Sequence, residues 1–521
     1  MSAPPDARRR EPARLSAARL GAIRAGVGAP PFDPRALRTG VVHLGIGAFH
    51  RAHQAVLTQD AMAASGDDRW GVLGVTQRSR GVVDQLVPQD GLYGLLTKGA
   101  RASSLRVVGV HTGVAYPGDE TGRVVASIAA PATHVVTLTV TEKGYRIAPD
   151  GGLDVSDPDV AADLAALDAG ARTATGLPST TPTRPTPRLV PGPDGPPART
   201  AVGLLLRGLA ARRRADAGPL TVVSCDNLAG NGPVLAALVA QALEHARDDD
   251  LRAWVDTSVR FPATMVDRIV PATTPAHHTE AEALLGLRDA GLVVAEPFTQ
   301  WVVEDAFAGP RPPWELAGAT LVADVAPFER AKLRILNAVH STLAYRGALR
   351  GLPTIADAVA DPDLLAAARA LVDEDVLPTL DPPPGVDLRA YRDQVLDRMA
   401  NPATGHTTRQ VASDGSAKLP QRLLGTVRDR LAAGAVPHAA AATLAAWIAY
   451  VRTVACDGLV LDGRAVTLDD PRADALAAAA AGPVDGLADR FLALTDVVGD
   501  LGESHELRDA VGAALRDLGV R

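Results

Sequence analysis

Four polar side chains, Glu329, Lys332, Asn337 and His340, fall among the apolar residues of one stretch that also carries Arg330 and Arg334. At an α-helical step of about 100° per residue with Lys332 at zero, Glu329 lies at about 60°, His340 at about 80° and Asn337 at about 140°. On the same wheel Leu336, Val339 and Leu343 fall between about −20° and about 40°, so the polar groups share or border the buried stripe. A solvated face would be arranged the other way. Burying a lysine, a histidine and a carboxylate together is costly unless they pair or line a wet cleft. Burial also lowers a lysine pKa toward the range a general base needs. Taken singly, His340 can be a core histidine, Glu329 an ion-pair partner of Lys332 and Asn337 a buried amide bracing a loop. Taken together they point to a proton-transfer site with Lys332 as the base.

Composition singles out the same lysine. Of 53 lysines and arginines only four are lysine, namely Lys98, Lys143, Lys332 and Lys418, and asparagine is confined to Asn227, Asn231, Asn337 and Asn401. Arginine does not surrender its proton in a protein and lysine can be tuned to do so. Asn227 lies in Ser224–Gly232, at the end of an apolar run, where with Asn337 it can donate to a developing alkoxide. Asn231-Gly232 reads as a turn. The stretch Asp414–Pro420 reads as a turn leading to a helix stop, with Lys418 either a substrate contact or a surface lysine.

These groups need elements to hold them, and the first is a glycine loop. Val41–Leu44 runs into Gly45-Ile46-Gly47-Ala48-Phe49-His50-Arg51, a spacing that lets a pyrophosphate approach the backbone at a helix N-terminus. The third glycine of the usual fingerprint is replaced by His50, and Arg51 is either a phosphate contact or a solvated helix residue. After the second strand, Thr76–Arg80 contains no carboxylate for a ribose hydroxyl. Arg78 and Arg80 there suit the extra phosphate of NADP or simply an exposed loop, so the expected cofactor is NAD, with NADP possible.

Val41–Leu44, Val72–Val75, Val135–Val140 and Leu220–Cys225 read as buried strands alternating with helices, which implies a parallel sheet covered on both faces. After about Pro327 Ala-rich helices dominate; Asp361-Pro362 starts one and Asn401-Pro402 ends another. The expected layout is a loose tail over 1–37, a dinucleotide-binding α/β domain over 38–326 and a mostly helical domain over 327–521, with the site between them. A Pro-rich surface insertion is expected at about 173–199. At 521 residues two domains are the natural prior. The net charge of −7 gives no reason to expect nucleic acid. Cys225 and Cys456 form no thiolate metal site or disulfide framework and fit a reducing cytoplasm. No apolar run of about 18 residues suggests a membrane span, and no metal site is expected.

The motifs Gly45-x-Gly47-x-Phe49-His50-Arg51-Ala52-His53-Gln54, Thr141–Tyr145, Ser224–Asn227, Thr264–Arg268, Glu296–Phe298 with Gln300-Trp301, the lysine helix and Asp414–Ser416 follow one another in order. Together they resemble the polyol-specific long-chain dehydrogenase/reductase family, which includes mannitol 2-dehydrogenases and fructuronate reductases. The resemblance covers about residues 38 to 470 and accounts for His50-Arg51 at the third glycine. It implies a Rossmann domain, a helical C-terminal domain, a monomeric enzyme without a catalytic metal, and a small carbohydrate substrate. By resemblance Lys332 is the base, Asn227 and Asn337 stabilise the oxyanion, His340 orients substrate and Glu329 gates the proton path. Asp267, Arg409 and Lys418 resemble substrate-pocket positions. Where many mannitol-oxidising members carry arginine this chain has Gln410, and His406–Arg422 is more similar to fructuronate reductases. Oxidation of a sugar-alcohol phosphate is an alternative reading, and a cofactor-binding regulator without catalysis is another.

Overall fold

The computed structural model describes residues 12–174 and 196–520. The chain divides into two compact units, Met1–Val325 and Ala326–Arg521. The first is built on a six-stranded sheet comprising β1 (Thr39–Leu44), β2 (Gly71–Val75), β3 (His111–Ala115), β4 (Val135–Leu138), β5 (Leu220–Ser224) and β6 (Val259–Arg260). Every neighbouring pair is parallel, and the spatial order is β3-β2-β1-β4-β5-β6. That order, reversing between β1 and β4, is the one that opens a crevice at the carboxyl ends of dinucleotide-binding sheets. The apolar runs read from the sequence form these central strands because a sheet covered on both faces buries every side chain along them.

Helices α1 (Ala48–Ala52) and α2 (Gln54–Ser65) follow β1; α3 (Pro117–Ile128), α4 (Ala201–Arg214) and α5 (Asn231–Ala246) lie further along. Two three-stranded sheets complete the unit. One orders Val293–Ala295, Tyr93–Lys98 and Ser103–Val108; the other orders Thr320–Val322, Gln300–Glu304 and Thr264–Asp267. The expected loose tail is corrected for residues 12–37. Leu15 is fully buried with Leu92, Leu96 and Leu285, and Leu20, Ile23 and Val27 pack on the same cluster. The Leu15 N–H donates to Arg288 O at 2.9 Å and Gly28 bridges to Arg106, so this segment covers a sheet face that would otherwise be wet. Residues 1–11, and 175–195 of the Pro-rich insertion, lie outside the described residues.

The second unit is helical around one core running from Ala331 to Leu515. Its elements include α6 (Ala326–Ala331), α7 (Ala338–Leu349), α8 (Gly415–Leu419), α9 (His438–Arg452) and α10 (His505–Asp517). Between α6 and α7 the helix widens into a π turn, Lys332–Asn337, and a second π turn, Pro420–Leu424, packs against it. Asp361 caps the helix that opens with Pro362, as its spacing predicts. Pro420, expected to stop a helix, does not: the helix that opens at Gly415 continues through it by widening into the π turn Pro420–Leu424. His438–Asp457 is long and apolar enough to cross a membrane, but it is the core helix of this unit, packed against α7 and α10.

Candidate functional site

The glycine loop sits at the carboxyl end of β1, where the strand order reverses. Gly45 is forced: its φ is +104°, and a Cβ there would stand 2.1 Å from Thr139 O. Gly47 is different. No atom lies within 3.4 Å of the Cβ it lacks, and the residue is exposed, so the space beside it is open to an approaching group. That open cradle fits a dinucleotide pyrophosphate. Two hydrogen bonds hold the loop from below: His43 Nε2 donates to Gly45 O at 3.1 Å, and Thr139 Oγ1 donates to the same oxygen at 2.8 Å. Thr137 Oγ1, 2.7 Å from His43 Nδ1, fixes the ring.

His50, in the place of the third glycine, is 1% exposed and stacks on His43 at 3.4 Å, with its Nε2 3.2 Å from that of His111. Burial first, then the neighbouring histidines, hold the His50 pKa well below the ordinary range, so the ring is neutral. Arg51 is likewise turned inward. It donates to Gly291 O at 2.6 Å and Gly47 O at 3.3 Å and lies over the Tyr93 ring. The expectation that Arg51 meets a phosphate is therefore corrected: its guanidinium braces the loop. His50 is corrected in the same way, to a packing residue under the loop. Phe49 is half-buried and stacks on His53 at 5.1 Å. Arg78 is exposed beyond the end of β2 and donates to Thr141 Oγ1 at 3.5 Å, whereas Arg80 is ion-paired with Asp119 and Asp84.

Asn227 is exposed three residues past β5. Its neighbour Asp226 positions it, a role the sequence did not reveal. The Asp226 carboxylate accepts from Val140 N at 3.0 Å, Thr141 N at 2.7 Å and Tyr145 Oη at 2.7 Å, fastening the β5 loop to the β4 loop. Burial raises the Asp226 pKa despite these donors. Thr141, with φ +67°, is held in its left-handed conformation by this contact. Asn231, expected to be a plain turn, is a buried clamp instead: its amide donates to Asp226 O and Thr264 O and accepts from Thr264 N. Asp267 is buried at the end of its strand, opposite Gln300. Arg268 donates to Glu296 O at 2.9 Å and Glu296 accepts from Ile269 N at 2.7 Å, so those two motif residues brace the scaffold.

In the second unit Lys332 opens the π turn and Asn337 closes it; the two are 8% and 6% exposed. A π turn spaces residues differently from the α-helix assumed on the wheel and recurs at functional sites. Glu329 and His340 are only half-buried, so the expected four-residue buried arc narrows to Lys332 and Asn337 with the other two at its border. His340 stacks near-parallel on His406 at 5.5 Å, a partner the sequence did not single out, and its Nε2 is buried with no hydrogen-bond partner among the described residues. Burial first, then His406, Arg422, Lys418 and Arg398, push the His340 pKa well down. Arg422 donates to Ser341 Oγ at 3.1 Å. Lys418 donates to Ser413 O at 2.7 Å, and burial, then Arg422, lowers its pKa. Lys418 thus belongs to the cluster, while Arg409 is exposed. Gly415 gives α8 its close fit: a Cβ there would meet Trp447 Nε1 at 2.4 Å. Among the described residues no three His, Cys, Asp or Glu side chains are placed to hold a metal ion.

A parallel sheet in this order with an open glycine cradle at its switch point is the framework of a dinucleotide-dependent oxidoreductase. Residues 39–316 match the mannitol dehydrogenase Rossmann domain and residues 324–518 the mannitol dehydrogenase C-terminal domain. The chain belongs to the mannitol dehydrogenase family of oxidoreductases. It is 40% identical over 450 residues to the D-mannonate oxidoreductase of Escherichia coli K12, covering 85% of each chain. It is 36% identical over 488 residues to a mannitol 2-dehydrogenase of Cereibacter sphaeroides, covering 93% of this chain and 95% of the relative. The Pseudomonas fluorescens mannitol 2-dehydrogenase, solved as a ternary complex with NAD and D-mannitol, superposes with a TM-score of 0.81 at 32% identity over 97% of both chains.

Proposed function

We propose that this chain interconverts a linear sugar acid and its keto form, a mannonate/fructuronate-type pair, with NAD as hydride carrier and Lys332 as general base. The observation that carries the acid over a neutral sugar alcohol is the charge around His340. The charged side chains bearing most on it, Arg422, Lys418 and Arg398, are all basic, and Lys418 has an acidic neighbour, Asp414, at 3.7 Å. A neutral polyol has no use for such a concentration of positive charge, whereas a carboxylate gains charge-assisted hydrogen bonds from it. The 40% identity to a D-mannonate oxidoreductase supports the same reading.

In the oxidative direction neutral Lys332 accepts the hydroxyl proton through Nζ, and Asn337 and Asn227 donate to the alkoxide that forms. His340 Nε2 orients a substrate hydroxyl, Glu329 passes the proton onward, and Asp267, Lys418 and Arg409 contact the remaining polar groups of the substrate. NAD, when bound, supplies the nicotinamide carbon that accepts the hydride. Gly45, Gly47 and Phe49 hold it, with His50 and Arg51 supporting the loop from beneath. The exposed Arg78 and the absence of a carboxylate in Thr76–Arg80 favour some use of NADP as well.

The test is NAD(P)H absorbance against mannonate, fructuronate, mannitol, fructose and the corresponding phosphates. The acid pair is expected to give the highest kcat/KM, and a preference for mannitol, fructose or a phosphate would overturn the substrate assignment. The reaction is expected to proceed undiminished after exhaustive chelation; loss of turnover restored by a divalent ion would replace the lysine mechanism.

A further inference from the structure

A second cluster of arginines comprises Arg346 in the last turn of α7, Arg350 at its C-cap and Arg452 at the end of α9. Arg346 lies six residues beyond His340, which on a regular helix is about 9 Å further along the axis and about 120° around it. Arg346, Arg350 and Arg452 line a cavity of about 480 Å³ floored by Leu349, Leu364 and Leu518, all within the second unit. That volume falls in the range of small-molecule sites.

The three arginines are not equally engaged. Arg350 is neutralised by Asp361 at 2.5 Å and Asp363 at 3.4 Å. Arg346 has a single long bond, from Nη2 to Ala442 O at 3.4 Å, and its Nε is buried without a partner. Arg452 spends Nη1 on Ala480 O and Gly482 O, and its Nε is also buried without a partner. Neither Arg346 nor Arg452 has a carboxylate partner among the described residues. Two carboxylates do belong to the cavity, Asp457 and Asp517, but both are exposed and neither forms an ion pair among the described residues. Half-buried guanidinium groups and exposed carboxylates thus line the same cavity together with apolar residues. An anion on the ligand suits the first and hydroxyl groups suit the second.

We propose that this cavity is a second ligand site, distinct from the Lys332 cluster, that binds a small polyhydroxylated anion through Arg346 and Arg452. A sugar acid and a sugar phosphate share that chemistry, and the test separates them. Gluconate, glucose 6-phosphate and uncharged glucose are titrated calorimetrically into the full-length protein. One or both anions are expected to bind saturably while glucose does not. Arg346→Gln is expected to weaken that binding at least tenfold, about 1.4 kcal/mol, whereas Arg422→Gln, which weakens acid binding at the Lys332 cluster, is expected to leave saturable binding at this cavity in place. Val520→Trp, which fills the cavity from the chain end, provides a second variant that leaves the arginines in place and is expected to abolish binding. Failure of both anions to bind overturns the proposal. So does wild-type affinity in Arg346→Gln or Val520→Trp, or loss of binding in Arg422→Gln, which would place the anion at the Lys332 cluster.

Discussion

Arg422→Gln is the perturbation that most sharply separates a sugar acid from a neutral polyol as substrate. The guanidinium is half-buried and anchored to Ser341 Oγ at 3.1 Å, next to His340 in the chain. A hydrogen bond to a charged group contributes about 1.5–3 kcal/mol, or roughly 10- to 150-fold in an equilibrium constant. Because a carboxylate is bound in the ground state as tightly as in the transition state, the loss is expected in KM and not in kcat. Steady-state kinetics should therefore show KM for mannonate rising by about one to two orders of magnitude with kcat within about threefold, while mannitol is affected less than about threefold. The substitution also removes one of the cations that lower the His340 pKa, so the acidic limb of the kcat/KM profile should move to higher pH. An unchanged KM for the acid, or equal losses for acid and polyol, would refute the charge argument.

The two glycines of the cofactor loop are expected to fail differently. Gly45→Ala places a Cβ 2.1 Å from Thr139 O at a φ of +104°, so it should lower Tm and cofactor affinity together. Gly47→Ala meets open space, so Tm should be unchanged while NADH titration by fluorescence shows weaker binding; equal Tm losses would contradict the assignment. Acid should unfold the first unit through its buried histidines. His43 and His111 have pKa values depressed from 6.5 to about 3, so the unfolded chain binds more protons between those limits. Their contribution is complete above pH 6.5 and is lost as pH falls toward about 3. Thermal unfolding across that window should show a falling Tm, less steeply in His111→Gln, and a flat profile would contradict the buried neutral cluster.

How far these features were readable in the sequence follows from their physics. The four central strands were legible because a doubly covered parallel strand is buried along its length and reads as a near-continuous apolar run, as Val41–Leu44 and Leu220–Ser224 do despite His43, Thr221 and Ser224. Residues 12–37 were not, since Leu15, Leu20, Ile23 and Val27 stand among Pro, Gly and Arg and are buried by contact with residues distant in sequence, Leu92, Leu96 and Leu285 among them. The lysine and Asn337 were found by residue type and by their place near the apolar stripe. Their π turn escaped notice because a wheel imposes one angle per residue. Arg51 illustrates a further limit. A charged residue after a glycine loop reads as a ligand contact, and only the carbonyl of Gly291, distant in sequence, turns it inward. Asp226 and His406 likewise acquire their roles from partners remote along the chain or from stacking, which spacing does not encode.

The central claim is that Lys332 moves the proton, and Lys332→Ala tests it directly. Turnover is expected to fall by about 10²- to 10⁴-fold, the usual contribution of a positioned base. NADH affinity and Tm should remain close to those of the parent protein, and added primary amines should restore part of the rate. Turnover within about tenfold of the parent enzyme, or a loss traced entirely to cofactor binding, would contradict the account.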